Sequence, residues 1–387
     1  MLTNNINFKN FGLKKSNKKI LYSFKKLNKE DNEVLNSLKQ SFKDSFSKKT
    51  ILKLKKFSEY RIIGMGGSVL GSRAIHTFLR EKIKKNFHFI DNLDSSDTLK
   101  KVKNNSLNLI ISKSGNTLET ITNSNKIMNF SKKNIFITEN KKSFLMDLAN
   151  KLKSDVIHHN NFIGGRFSVL SEVGMLPAEL MGLNPRKFRK YNFLVKNKKF
   201  VNSLVQNVSN TLGLIKKKKF NSIILNYDEN SSDLFNWYQQ LIAESLGKKS
   251  KGILPIISNM PKDNHSLMQL YLDGFKNNFY TFFFVNQNFS TKINDKYLLK
   301  THSFLKNKTL NDIKKSQFRA TEKVFSQKNI PFRSFYLKKR NEETLGELFI
   351  FFILETILLG KALNINPYDQ PAVELIKKET KKFLFKS

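Results

Sequence analysis

The chain of 387 residues is predicted to be an α/β protein. Three features carry the prediction. Short apolar runs such as "EYRIIG" and "NIFITE" alternate with segments of helical period, and several of the runs end in glycine- or hydroxyl-rich turns. Such alternation implies a parallel sheet with helices on both faces. The pattern occurs twice, so the same architecture is expected twice, in a chain long enough for two or three domains.

Residues 1–50 alternate Lys and Asn with sparse Leu and Phe and read as an N-terminal helical segment on the surface, without its own core. Over 51–190, "EYRIIG" is a strand, "SVLGSRAIHTFL" a helix, "FHFID" and "LNLIISKS" strands, "TLETITNSNKIM" a helix, "NIFITE" a strand and "SFLMDLANKL" a helix. The pattern pauses near Leu180–Phe193. Over 191–340 it resumes with a strand at "FNSIILNY", a helix at Asp233–Leu246, a strand at "FYTFFFVN", a helix near Lys314–Ser326 and a strand at "FRSFYL". Over 341–387, two helices close the chain, Glu342–Leu363 and Pro371–Leu384. The first of these is very apolar, yet Glu347 and Glu355 interrupt it, and no apolar run reaches the ~18 residues of a spanning helix. It reads as a buried helix of a protein with no membrane contact.

The formal charge of +38 points first to nucleic acid. Its distribution points elsewhere. Lysines are scattered through every polar segment, Arg is scarce, and no basic run is interleaved with stacking aromatics. A solvated surface with no specific nucleic-acid partner is expected. The chain has no Cys, which excludes disulfides and thiolate metal sites and fits a reducing, cytoplasmic setting. The first twenty residues lack the apolar core of a signal peptide.

Six stretches carry candidate chemistry. "IISKSGNTLET" (110–120) runs from an apolar strand into a helix start, where an α/β sheet binds ligands and free N–H groups attract anions. Ser112, Ser114 and Thr117 add hydroxyls, Lys113 a charge, and Gly115 lets the backbone close on a phosphate. A helix capped by Thr117 is the plainer alternative. "GMGGSVLG" (64–71) misses the dinucleotide fingerprint, because Val69 stands where the third glycine belongs. It reads as a second wall of the same pocket, with Gly67 in the turn and Ser68 offering a hydroxyl. "GGRFSVLSEVG" (164–174) places Arg166 in a tight turn, suited to holding a developing oxyanion or to pairing with a carboxylate. In "WYQQLIAESLGK" (237–248), Gln240 and Glu244 share one helix face beside apolar residues, as a general base would, or as any exposed helix Glu does. "DNHSLMQLYLDG" (263–274) carries His265, with Asp263 two residues before it as if to orient it. "NPYDQPAVELIKKET" (366–380) reads alone as an acidic turn and a solvated helix bearing Lys377. No His/carboxylate cluster has metal-ligand spacing.

Together, and in this order, these stretches resemble the glucose-6-phosphate isomerase family, from about residue 58 to 380. The Gly-Gly-Arg-aromatic-Ser and Asp-Gln-Pro-x-Val-Glu-x-x-Lys motifs are the most specific. The resemblance implies two sugar-isomerase (SIS) domains, each a three-layer parallel α/β sandwich, at 51–190 and 191–340, with the C-terminal helices packing on both. It implies reversible conversion of glucose 6-phosphate to fructose 6-phosphate through a cis-enediol, with no metal and no cofactor, in a homodimer. It assigns Ser68, Ser112, Ser114 and Thr117 to the phosphate, with Gly67 in the same turn and Lys113 lending backbone. Glu244 becomes the base, Arg166 the partner of the enediolate and Gln240 a substrate-contacting amide. His265, from the neighbouring subunit, and Lys377 become the ring-opening pair. The family often has Gly where Ala372 and Ile376 stand, so a local difference is expected near Lys377. Enzymes acting on mannose 6-phosphate share the double architecture. A sugar-phosphate sensor would need only the phosphate pocket and would have no use for Arg166, Glu244, His265 and Lys377 in matching contexts.

Overall fold

The computed structural model describes residues 2–12, 17–93, 105–128, 133–287 and 289–386. Among these residues ten strands run in chain order: β1 Ile6–Lys9, β2 Glu59–Gly64, β3 Asn86–Ile90, β4 Ser106–Ile111, β5 Asn134–Thr138, β6 Asp155–His158, β7 Asn221–Asn226, β8 Leu254–Asn259, β9 Asn278–Val285 and β10 Phe332–Leu337. They form two five-stranded sheets, ordered β3-β2-β4-β5-β6 and β1-β10-β9-β7-β8. Every pairing is parallel except β1 with β10. β2, β4 and β9 are buried along their whole length, as strands of helix-covered parallel sheets should be. The two sheets repeat one winding. After β2 the chain goes to one side for β3 and to the other for β4; after β7 it does the same for β8 and β9. Each sheet therefore opens a crevice at the carboxyl ends of its switch-point strands.

The apolar Glu342–Ala362 helix lies in the core, buried from Thr344 to Gly360, and contacts the Lys198–Lys216 and Ser232–Leu246 helices. A helix apolar all round needs such a position. Its carboxylates are matched by donors. Glu347 accepts from Thr3 Oγ1 at 2.7 Å, and Glu355 accepts from Arg333, Asn207 and Tyr238.

Two expectations about the chain ends are corrected. Residues 1–50 are neither wholly helical nor a surface layer. Ile6–Lys9 is an edge strand of the second sheet, and Ile20, Phe24, Leu27, Val34, Leu35 and Leu38 are buried in the main core. The Lys and Asn residues are numerous there, but each short helix still presents one apolar face. At the other end, the Val373–Leu384 helix does not pack on the two sheets. It has no buried residue, and Leu375 and Ile376 are 68% and 71% exposed. Its amphipathic pattern leaves the apolar side chains Leu375, Ile376 and Phe383 exposed.

Candidate active site

The switch point of the first sheet lies between β2 and β4, where Gly64 pairs with Ile111. Both chains turn there into the two motif loops. In the β4 loop Gly115 takes φ +66°, and a Cβ would meet Ser143 Oγ at 2.2 Å. Only glycine allows this turn without moving its neighbours. Ser114 Oγ accepts from the Asn116 N–H at 3.2 Å, and Ser112 Oγ and Thr117 Oγ1 lie 2.9 Å apart. Ser112 is buried and does not reach the cavity wall; it holds the Thr117 hydroxyl from beneath. In the β2 loop, a Cβ on Gly67 would lie 2.1 Å from the Gly165 carbonyl carbon. The bare backbone lets this loop touch the turn that carries Arg166.

That turn, Gly165–Leu170, is a short 3₁₀ helix that buries Arg166. Trp237 Nε1 donates to the Arg166 carbonyl at 3.1 Å and so fixes the turn against the Ser232–Leu246 helix. The guanidinium uses all five of its N–H donors. Nε donates to Ser245 Oγ at 2.8 Å, Nη1 to Glu244 Oε2 at 3.1 Å and to Gln370 Oε1, and Nη2 to the carbonyls of Pro367 and Asp369 at 2.8 and 2.9 Å. Burial pulls the Arg166 pKa down, and the Glu244 charge opposes that pull. One turn earlier on the same helix, Gln240 Nε2 donates to Glu244 Oε1 at 2.8 Å. Both Glu244 oxygens are thereby aimed, while the side chain stays 29% exposed to the cavity.

These groups share a cavity of about 350 Å³. Gly67, Ser68, Lys113, Ser114, Thr117, Arg166, Gln240, Glu244 and Lys377 line it, together with Gln370, Glu139 and Lys141. Lys377 is largely exposed and bonded to Glu374 at 2.6 Å. His265 does not line the cavity. It is exposed, beyond the end of β8 in the other sheet. Asp263 does not orient it either: its carboxylate accepts from Ser258 Oγ, the Asn259 N–H and Ser266 Oγ. Among the described residues no group of His, Asp and Glu is placed to hold a metal ion.

Sequence reasoning did not single out Gln370, Glu139, Lys141 or Lys248. Lys248 Nζ donates to the Asn366 carbonyl at 2.6 Å and to Asp369 Oδ1 at 2.7 Å, and its hydrogen bond holds the Asp369 carboxyl below the usual range. Lys248 and Arg166 thus fasten the loop that brings Gln370 to the cavity. Position in the Asp-Gln-Pro motif was the available signal for Gln370; Glu139 and Lys141 look like any loop residues until the fold is known.

The fold is that of proteins built from sugar-isomerase units. A hypothetical protein of Thermus thermophilus superposes with a TM-score of 0.82 at 23% identity, covering 95% of this chain and 94% of the other. A glucose-6-phosphate isomerase from Chlamydia trachomatis superposes with a TM-score of 0.69 at 19% identity, covering 91% and 77%. The sequence comparisons narrow the class. The phosphoglucose isomerase model matches residues 9–386. A glucose-6-phosphate isomerase of Methanocaldococcus jannaschii is 34% identical over 91% of this chain and 90% of its own, and one of Mycoplasmopsis pulmonis is 32% identical over 84% and 82%. The chain belongs to the phosphoglucose isomerase family.

Proposed function

We propose that the chain interconverts glucose 6-phosphate and fructose 6-phosphate, the aldose–ketose step of glycolysis and gluconeogenesis, with the first cavity as its site. The observation that carries the reading is the Glu244–Arg166 contact at 3.1 Å in one cavity with the hydroxyls of Ser68, Ser114 and Thr117. The phosphate anchors on those hydroxyls and on the backbone N–H groups of the β4 loop. Binding energy gained there is available for work at the reacting carbons. Glu244 takes the proton from C2 of the open aldose, the C2–H electrons form the C1=C2 bond, and the aldehyde oxygen becomes the enediolate oxygen. The hydroxyl proton then passes from O2 to O1, the C2–O electrons form the C2=O bond, and return of the proton from Glu244 to C1 gives the ketose. Arg166 has no spare donor at rest, so it meets the enediolate by exchanging a partner. Release of Glu244 from Nη1 frees the base and the oxyanion donor in one movement. Gln240 keeps the second carboxylate oxygen aimed, and Gln370 contacts the sugar beside Arg166.

Ring opening needs an acid and a base near the ring oxygen and O1. Lys377 supplies one from the cavity rim, and His265 of a second copy supplies the other, which makes the working unit a homodimer in the cytoplasm. The exposure of His265 supports this assignment. The catalytic unit divides into a first sugar-isomerase domain over 51–190, which holds the phosphate, and a second over 191–340, which holds the base. A coupled assay for glucose 6-phosphate formed from fructose 6-phosphate, run beside mannose 6-phosphate as competing substrate, tests the reading. No turnover of fructose 6-phosphate, or preference for the mannose compound, overturns it.

A further inference from the structure

A phosphate dianion needs positive charge near it, and the hydroxyl pocket has none of its own. Around the cavity stand four cations and three carboxylates. Glu244 is paired with Arg166 and Glu374 with Lys377. The remaining carboxylate, Glu139, is shared by two lysines: Lys113 Nζ lies 3.4 Å from Oε1, and Lys141 Nζ contacts Oε2. Among the described residues, the unbalanced positive charge of the cavity therefore sits at this triad, next to Ser114 and Thr117.

The triad is built into the fold. Glu139 follows directly on β5, the neighbour of β4, and its N–H donates to the Lys113 carbonyl at 3.1 Å. The Thr138 hydroxyl donates to the same carbonyl at 3.3 Å. The Glu139 side chain is 5% exposed, whereas those of Lys113 and Lys141 are 33% and 55% exposed. A buried carboxylate with two partly exposed ammonium groups above it holds the cations at the cavity while leaving them open to solvent and ligand. Lysine suits this use, since its ammonium is a compact charge on a flexible stem.

We infer that Lys141 is a phosphate-binding residue: its ammonium, with that of Lys113, supplies the charge for the substrate phosphate, and Glu139 is the positioning residue that keeps both beside the hydroxyl pocket. The inference rests on the reading that Ser68, Ser114 and Thr117 hold the phosphate. In the bound state the ammonium groups bridge Glu139 and the phosphate oxygens. The two anions then share two cations instead of repelling one another.

The test uses the full-length protein and three variants, K141M, K141R and T117V, with KM for fructose 6-phosphate and the inhibition constant of inorganic phosphate as readouts. K141M should raise both about tenfold, in parallel, with kcat changed less than KM. The rise should shrink as salt is added, because the group is half-exposed and screened. K141R should recover most of the loss. If T117V weakens phosphate inhibition and K141M does not, Lys141 is only a surface partner of Glu139 and the inference is overturned while the pocket stands. If neither variant changes phosphate inhibition, the pocket is not the phosphate site, and the inference falls with it.

Discussion

The arrangement around Glu244 makes the sharpest demand on a single residue. Its carboxylate accepts from Arg166 at 3.1 Å and from Gln240 at 2.8 Å, so each oxygen is placed before substrate arrives. Glu244→Gln keeps the volume and leaves the phosphate pocket untouched, but a neutral amide cannot carry a proton from C2 to C1. Turnover should fall by ~10²–10⁴, the usual contribution of positioned proton transfer, with KM nearly unchanged. Exchange of the C1 and C2 hydrogens with solvent deuterium should stop as well. Exchange at the wild-type rate would assign the base to another residue. As candidates for the site, Ser114 and Thr117 were legible in local chemistry that exceeds what a cap needs, and Arg166 and Glu244, each with an ordinary structural reading of its own, in their motifs' resemblance to the family. Glu139 and Lys141 were not. A Glu beside lysines is ordinary in so basic a chain, and only the placement of β5 next to β4 brings the two to the cavity. The five-bond clasp on Arg166 was hidden for the same reason, since Gln370 and Pro367 lie some two hundred residues further along the chain.

At the scale of elements, the long apolar runs announced themselves and the short ones did not. β2 carries three apolar residues and β9 and β10 four or more each, and all three match their predicted places closely. β1 has two apolar residues among polar ones, as a four-residue antiparallel edge strand permits. β8 also went unread, since it begins with an exposed Leu254 two residues after Gly252 and contains Pro255 at the sheet edge. Two buried polar contacts join strands to helices. Arg333 on β10 meets Glu355 of the Glu342–Ala362 helix, and both side chains are 1% exposed. Asn207, Tyr238 and Thr281 complete that network. Arg333→Met strands a buried carboxylate and should lower the unfolding free energy by ~3–5 kcal/mol in denaturant titration. A loss close to zero would show that the network relaxes or admits water. The second contact joins the end of β6 to the helix after Arg166. His159 Nδ1 lies 2.6 Å from Glu172 Oε1, and both residues are buried. Burial alone would raise the Glu172 pKa; the hydrogen bond and charge of His159, with the Asn160 N–H, outweigh it and hold the carboxyl below its ordinary value. A depressed carboxyl stabilises the fold above its unfolded pKa, and that stabilisation is lost as pH falls through the folded value. The stability difference between wild type and Glu172→Gln should therefore shrink as pH falls below the ordinary glutamate range. A difference that grows on acidification would contradict the assignment.

The whole molecule poses a problem that one copy does not solve. On the proposed reading its cavity holds the base, the oxyanion partner and the phosphate site, yet His265 is exposed beyond the end of β8 and does not line that cavity. Near the same cavity the Val373–Leu384 helix, which carries Lys377, leaves Ile376 and Phe383 each 71% exposed. Surface of that kind marks an interaction site more often than a free face. A two-fold pairing would cover it twice with one contact, because the same patch serves both subunits. The net charge of +38 opposes such pairing at long range, and salt screens it over about 8 Å at physiological ionic strength. These features together make subunit mixing the decisive experiment. A His265→Ala chain should be inactive in ring opening, and a Glu244→Gln chain inactive in proton transfer. If His265 serves the neighbouring copy, each site of a mixed dimer combines Glu244 of one chain with His265 of the other. One of the two sites then receives both wild-type groups and the other receives neither. Mixed dimers should recover up to about half of wild-type activity, as the symmetry of a two-fold interface requires. The assay is fructose 6-phosphate turnover after co-refolding or co-expression, with exchange verified by two affinity tags. Activity that stays at the level of the parent variants, despite tagged mixed dimers, would place His265 in the service of its own chain.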